Sequence, residues 1–594
     1  MTTWANKNLY DRGEDRWKEK DSDYSRVNRN RDTMTYYFRS DEVVETSEAG
    51  NLVGQAIYNG SPSWYSRTMS TMFQGSLVSK NIPWIRYKMG EFKLKGIDQL
   101  DIWLQDIKEY MSDVYDRSNF YDVQPQFTLD GVTTGSPVMF GEEQVLEGRI
   151  MWMPQHYKTV RVYYDKYNFP EGVIVKEDNW TAKQVVDRFA KDDDPEGTIR
   201  KRKFPLALNR AYEQGLLNEK FTVYKHVFKA TDPIWDGQGE GSFVKPSGEW
   251  TWLTAYFLEL TDSDKDKKNK PLNDNMGDFT QPFTIWNFDK KPHEASSRTP
   301  AWYAIWDNLS LQQIDKNYLE NIQNMNRPAT IALDTMANRL QLGPEGQMLV
   351  SEAEYDRSPK PMDRVGGIDF SRELIEMKED SLMRWFYIKE LQMFTNLAAD
   401  KNQPVTATQI WQMSGEKATL LSPAIETHSR HLETADERMI DLEVRAARPG
   451  GPFDVQTMAN ITDIVNGVLE ISVPNVSISP VFIGRLAQAQ KISEAIQPIQ
   501  SGLAFMQPML DMNPQLNRMI KWYDTANEGL EALDFSQRNI VPKEEYEAAV
   551  QADNEAAAAQ QQEENAVEMM KASKNIQGPV DESSVMSSVA EAVG

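Results

Sequence analysis

Three aspartates at alternate positions, Asp262, Asp264 and Asp266 in DSDKDKKNKPLND, have the spacing with which a calcium loop presents carboxylates to a cation. That loop also needs glycine at its sixth position and glutamate at its twelfth, where this chain has Lys267 and Asn273. The neighbouring lysines would compete with any cation, so a solvated surface loop is the favoured reading. His428 and His431 stand three apart, close enough to share one face of a helix. The chain has only five histidines and no HExxH arrangement, so a surface or interface pair is preferred to a metal site. DGQGEGS (236–242) has closely spaced glycines but lacks the Lys-Ser/Thr of a phosphate loop, and a hairpin turn suits it better. There is no cysteine, which excludes disulfides, thiolate metal sites and cysteine nucleophiles together. No GxSxG occurs, and no pair of carboxylates can be assigned to one site from the sequence. The expectation is a protein with no catalytic residue, no metal site and no cofactor.

The bulk properties point the same way. A chain of 594 residues exceeds what one core usually serves, and about four structural units is a reasonable prior. Apolar residues make up 40%, with 16 tryptophans, enough to build folded modules. The formal net charge is −24, opposite to the footprint of a protein that grips phosphate backbones. An acidic wall repels DNA over about 8 Å at physiological salt, which favours passage over capture. The amino end MTTWANKNLYDRGEDRWKEKD lacks the apolar core of a signal peptide, and no stretch approaches the roughly 18 apolar residues of a membrane span. A soluble, non-secreted product is expected.

The elements follow from periodicity. Residues 1–33 are rich in charge and asparagine and read as a mobile arm. Trp64, Met69, Met72, Phe73 and Leu77 suggest an amphipathic helix over 61–78, and Leu100, Leu104, Ile107, Met111 and Val114 a second over 97–118. Between about 124 and 177, short runs such as VLEGRIMWM, VRVYYDKYNF and GVIVKED read as strands; KFTVYKHVF, WTWLTAYFLEL and PFTIWNF continue that texture. Thr181 and Gln184 have capping-box spacing. Thr299-Pro300 begins a helix whose stripe runs from Trp302 to Met325, and Leu374, Met377, Trp385, Ile388 and Leu391 predict another over 371–394. Between them, 329–370 reads as a compact insert of strands and turns. Thr406 and Gln409 form a second capping box, placed directly after the polar stretch NLAADKNQ, and start a helix that continues to about 446. Pro423 lies inside that helix and predicts a kink. A short strand pair is expected around LEISVPNVSISP, helices over 481–533, and an exposed helix followed by disorder over the last fifty residues. The fold class expected is α+β, predominantly helical.

The order of helix, strand-rich insert, returning helix, loop and long kinked helix resembles the portal proteins of tailed bacteriophages, and more narrowly the head-to-tail connecting proteins of short-tailed phages. VTATQIWQM is similar to that family's T-A-T-E helix opening, with Gln409 in place of Glu. LDGVTTGSPVMFGEEQV is similar to its helix, glycine turn and strand, and VYYDKYNFPEGVIVKEDNWTAKQVVDRFA to its strand, turn, strand and T-A-x-Q helix. TPAWYAIWDNLSLQQIDKNYLENIQNMNRPA and GRLAQAQKISEAIQPI extend the likeness over roughly residues 35–530.

The resemblance implies a multi-domain portal fold that assembles as a dodecameric ring. Its parts would be a mobile arm (1–33), a mixed α/β wing (34–298), stem helices (299–325 and 371–394), a clip (326–370), a tunnel loop (395–405), a kinked helix (406–447), a strand-rich wing return (448–480), crown helices (481–545) and an acidic tail (546–594). Asn396, Asp400, Lys401, Asn402 and Gln403 would face DNA, with Thr406 and Gln409 anchoring the loop and Pro423 kinking the helix behind it. Arg339, Glu345, Glu352, Arg357, Lys360 and Arg364 would lie on the clip. Implied partners are double-stranded DNA, major capsid and scaffolding proteins, the terminase large subunit, and later tail adaptor or nozzle proteins, with no membrane. The place implied is one capsid vertex of the virion, after synthesis in the host cytoplasm. An internal or structural virion protein without a DNA channel is the competing reading.

Overall fold

The computed structural model describes residues 9–39, 57–80, 83–90, 94, 97–144, 148–189, 204, 206–229, 251–259, 272, 277–292, 294–326, 330–331, 360–361, 368–389, 392, 407–469, 478–482, 497–512, 519–532, 539–541 and 543–574. They divide into two units, one of residues 1–95 with 103–497 and a second of 96–102 with 498–594. Helix and sheet are mixed, with helix predominant.

The mobile arm expected over residues 1–33 is instead, from Leu9 onward, part of a 30-residue helix, α1 (Leu9–Phe38). The reason lies in a narrow stripe that average polarity conceals. Trp17, Tyr24, Arg31 and Phe38 recur every seven residues, and the last three are almost fully buried. α2 (Ser61–Leu77) buries Met69, Phe73 and Leu77 as its spacing predicts, while Trp64 is exposed. β1 (Ile85–Met89), α3 (Asp98–Arg117) and α4 (Phe120–Thr133) follow. Over 124–133 the strand texture expected from the sequence is thus replaced by helix, because Gln124, Phe127, Thr128 and Val132 bury at helical spacing. Gly131 lets this helix lie against Trp286, since an added Cβ would stand 2.1 Å from the indole ring.

Two antiparallel sheets come next. β2 (Val138–Gln144) lies between β3 (Arg149–Gln155) and, later in the chain, β9 (Phe283–Ile285). A five-stranded meander contains β4 (Val160–Tyr164), β5 (Pro170–Thr181), β6 (Lys220–Lys229), β7 (Trp252–Leu258) and β8 (Gly277–Asp278). Its central strands are buried on both faces. Val173, Val175 and Val227 pack with Val138, Phe140 and Phe283 of the smaller sheet. On the same face Val223, Tyr256 and Leu258 meet α5 (Ala182–Phe189) and α6 (Leu206–Glu213). The opposite face, with Ile174, Tyr224 and Phe257, is covered by Trp17 of α1. The capping box before α5 is present: Thr181 N–H donates to Gln184 Oε1 at 2.9 Å and Gln184 N–H to Thr181 Oγ1 at 3.3 Å.

The long helices are α7 (Pro300–Asn326), α8 (Ile368–Trp385) and α9 (Ala407–Ala446). The second of these ends sooner than its periodicity suggests, at a turn in which Tyr387 takes a φ of 51°. Between α7 and α8, β10 (Thr330–Ile331) pairs antiparallel with β11 (Lys360–Pro361). After α10 (Val455–Leu469), β12 (Ile478–Phe482) pairs antiparallel with β1, far back in the chain, while 470–477, where the other half of the expected strand pair would fall, lie outside the described residues. In the second unit are α11 (Gln497–Met512), α12 (Trp522–Ala532) and α13 (Lys543–Lys574). Tyr523 and Lys543 link the last two, through Val541 O at 2.6 Å and Asp524 at 2.8 Å. Every side chain of α13 that is described is exposed.

Candidate functional site

The first long helix is seated before it begins. Thr299 is its cap: Oγ1 accepts the Trp302 N–H at 3.0 Å and donates to Thr133 O at 3.0 Å, tying the helix start to the end of α4. Ser136 and Ser297 bond reciprocally beside it, each backbone N–H donating to the other's hydroxyl at 3.0 and 2.8 Å. Arg31 of α1 closes the joint. Its Nε donates to Thr134 O at 2.9 Å, and Nη2 to Gly135 O at 2.8 Å and Ser296 Oγ at 2.6 Å. Gly135, at a φ of 77°, has no room for a side chain, since a Cβ would stand 2.5 Å from Ser297 O.

From that base α7 and α8 run antiparallel. Tyr303 stacks on Trp385 at 5.6 Å, and Asp307 accepts from Lys378 at 2.7 Å, Ser381 at 2.7 Å and Trp385 at 3.2 Å. Burial alone would raise the Asp307 carboxyl, but these donors hold it below the usual range. A second link comes from outside the pair. Gln312 uses both ends of its amide, accepting from the Tyr58 and Asn59 N–H groups at 2.8 and 3.0 Å and donating to Asn59 O and Asn308 Oδ1 at 2.8 and 3.1 Å. Asn59 Nδ2 reaches Asp315 at 2.6 Å and Glu379 at 3.1 Å, and Ser61 at the start of α2 also donates to Glu379. The two helices are therefore tied together by part-buried polar contacts, with Ala304, Leu311 and Leu382 buried along them.

Their outward positions are mostly polar, with Gln313, Asn317, Glu320, Arg372, Glu373 and Glu376 exposed, but four large apolar side chains stand among them: Trp306 is 75% exposed, Met325 64%, Phe370 65% and Met377 56%.

α9 packs behind the sheets. His431 lies over Phe127 at 4.3 Å; Gln124 Nε2 is 3.3 Å from its Nε2, and Thr284 Oγ1 is 2.6 Å from its Nδ1. Since the Thr284 hydroxyl also donates to His431 O at 2.9 Å, the consistent tautomer carries its proton on Nδ1. His428 meets Phe73, Trp286 and His431 ring to ring, and among the described residues neither of its ring nitrogens has a hydrogen-bond partner. The pair expected at a surface or interface is instead in the core, because the helix turns both rings toward aromatic neighbours. Five residues on, Asp436 is buried and accepts from Tyr87 of β1 at 2.8 Å and Tyr115 of α3 at 3.0 Å.

These groups titrate in opposite senses. Burial lowers His428 to about 3 and pushes His431 well below its ordinary value, while burial raises Asp436 to about 7 against the pull of its tyrosine donors. Between about pH 4 and 6 the unfolded chain binds two histidine protons that the folded chain does not, and the folded chain one aspartic proton that the unfolded does not. From these three groups stability falls by roughly 1 kcal/mol per pH unit as pH drops through that window. His428→Phe leaves one histidine against one aspartate. Unfolding midpoints followed from about pH 6 to 4 should fall less steeply in the variant by that amount; parallel pH profiles would contradict the assignment.

Among the described residues no group of three or more His, Asp or Glu is placed to hold a metal ion, and no helix is long and apolar enough to cross a membrane. Pro423 lies inside α9, as its sequence position requires. Gln409 falls in the first turn of that helix, and Lys360 pairs with Ile331 at the ends of the insert. Thr406, Asn396, Asp400, Lys401, Asn402, Gln403, Arg339, Glu345, Glu352, Arg357 and Arg364 lie outside the described residues, as do the aspartate loop (262–266) and the glycine run (236–242).

The family model for the bacteriophage head to tail connecting protein matches residues 13–541. The chain belongs to that family. The match starts within α1, so this helix is part of the family's common region, beyond the residue 35 at which the sequence motifs begin. A portal protein of Salmonella phage epsilon15 is 22% identical over 447 residues, covering 72% of this chain and 73% of that relative. Arg31 and Asn59, which help seat the α7 and α8 pair, carried no motif, and Gln312 was not singled out within its segment; the seven-residue stripe of α1 is the signal that could have found the first.

Proposed function

We propose that the protein is the subunit of a portal ring of about a dozen chains at one capsid vertex, through which double-stranded DNA is packaged by terminase, retained and ejected. The observation that carries this reading is the antiparallel pair α7 and α8, capped at its base by Thr299 and tied across by Asp307, with Trp306, Met325, Phe370 and Met377 exposed along it. Membership of the connecting-protein family and likeness to a phage portal protein support it. In this reading the pair is the stem, 326–370 the clip that meets terminase and then the tail adaptor, 395–405 the tunnel loop, 406–447 the helix behind it and 481–545 the crown. The −24 charge of each chain suits a non-adhesive channel wall.

Native mass spectrometry of the purified chain should give a closed ring, and electron microscopy an annulus with an axial hole. A monomer, or an assembly without a hole, would favour an internal virion protein. Deleting 395–405 should leave the ring intact and impair packaging or genome retention; unchanged retention would remove the loop from this role.

A further inference from the structure

The turn between β4 and β5 is unusually well held for an exposed loop. Asp165 Oδ1 accepts the Tyr167 and Phe169 N–H groups at 2.8 and 2.9 Å, Asp165 N–H donates to Phe169 O at 2.9 Å, and Asn168 takes a φ of 64°. The rigid tip presents Tyr167, 67% exposed, and Phe169, 62% exposed, with the Lys166 ammonium 4.7 Å from the Tyr167 ring. Ordering two aromatic rings in water brings no gain in an isolated chain.

At the other end of β5 is an open groove of about 620 Å³ lined by Asn179, Trp180, Gln184, Asp187 and Arg188. Its floor is also fixed. Trp180 stacks on Phe189, donates to Glu177 at 2.5 Å and lies 5.6 Å from the Arg188 guanidinium. The chemistry of the two ends is complementary: aromatic rings and a lysine on one, an indole, a guanidinium and the Asp187 carboxylate on the other.

A strand rising about 3.3 Å per residue separates Phe169 from Trp180 by roughly 35 Å, so the tip cannot enter the groove of its own chain. We infer that the Tyr167–Phe169 tip of one chain docks into the Trp180–Asp187 groove of a second copy. Tip and socket on opposite ends of one strand make a head-to-tail contact, the type that closes rings. Two aromatic side chains bury on the order of 300–400 Å², well under the roughly 800 Å² per partner of a stable interface. The contact thus sets the register between neighbours, and other surfaces carry most of the affinity. The inference rests on the ring reading above.

The absence of cysteine makes the test clean. Tyr167→Cys and Asp187→Cys chains are mixed in equal amounts, treated with a short bismaleimide and run on a denaturing gel, with native mass measured in parallel. Val455→Cys, an exposed position at the start of α10 and outside the groove lining, replaces Asp187→Cys as control. Covalent dimers from the 167/187 mixture but not from 167/455, in preparations that form rings, are the expected result, and the 167/187 double variant should give a ladder of higher multimers. Rings without 167–187 linkage, or with equal linkage at 455, overturn the docking and leave the ring reading standing. Chains that neither assemble nor link overturn both.

Discussion

Glu142→Ala should loosen the five-stranded sheet by about 3 kcal/mol, seen as roughly hundredfold faster amide exchange in β5 to β7. Glu142 sits where three donors converge. Lys225 Nζ is 2.7 Å from Oε1, the Tyr256 hydroxyl is 2.8 Å from the same oxygen, and Arg188 pairs with Oε2. Burial alone would raise this carboxyl, but Lys225 and Arg188 hold it well below the ordinary carboxylate range. Lys225 is the reason for the size of the effect. Its side chain is only 3% exposed, and without Glu142 its ammonium would be left in the sheet interior against Phe140, 3.6 Å from the ring centre. Arg188, a third exposed, can turn to water, and Glu142 is itself 24% exposed, so the lower end of the range for breaking a buried pair applies. Glu142→Leu combined with Lys225→Met should recover most of the loss, because removing both charges leaves nothing uncompensated. Since the folded carboxyl is lowered, its contribution is complete above about pH 4.3 and is lost as pH falls below that. An unchanged exchange pattern in Glu142→Ala would mean that Lys225 finds another acceptor.

Arg31→Ala should cost about 3–4 kcal/mol and act at a distance, on the base of α7. The guanidinium is 2% exposed and supplies donors to two carbonyls that nothing else reaches in the hydrogen-bond pattern described, Thr134 O from Nε and Gly135 O from Nη2. Leaving such acceptors buried and unpaired costs about 1–3 kcal/mol each. The same turn holds Ser136 against Ser297, and Thr133 O receives the cap of α7. Limited proteolysis should therefore open both 131–137 and 294–300 in the variant, and the yield of assembled rings should drop. Arg31→Lys should rescue little, because an ammonium cannot fork to two carbonyls and a hydroxyl at once. Cleavage confined to α1, with the 294–300 segment still protected, would show that the turn stands without this side chain.

The parts of the fold written in strong local patterns were legible. α2, α3, α7 and α9 follow from apolar spacing, the start of α5 from Thr181 and Gln184, and that of α7 from Thr299-Pro300. The misses have a common physical origin: burial decided by distant partners. α1 reads as solvated because, among its described residues before Arg31, only Gly13 and Tyr24 are buried, and because Arg31 itself has partners 103 and 104 positions away. His428 and His431 read as surface residues because nothing nearby in the sequence announces that Phe73, Phe127 and Trp286 will surround them. The pairing of β12 with β1 was likewise invisible locally, since the two strands lie nearly four hundred positions apart. Of the candidate site, the helix pair was visible as two stripes, whereas the Asn59 and Gln312 junction depends on one side chain meeting backbone 253 positions away.

Tyr87 meets Asp436 across 349 positions of chain, and the β1–β12 ladder spans still more. Closing so large a loop costs about 5 kcal/mol of chain entropy before any contact offsets it. A ribosome adding about 5–20 residues per second needs roughly 20–70 s to travel from one partner to the other. Throughout that interval the early segment lacks its counterpart, so Tyr87 and β1 complete their packing only after Asp436 and residues 478–482 have been made.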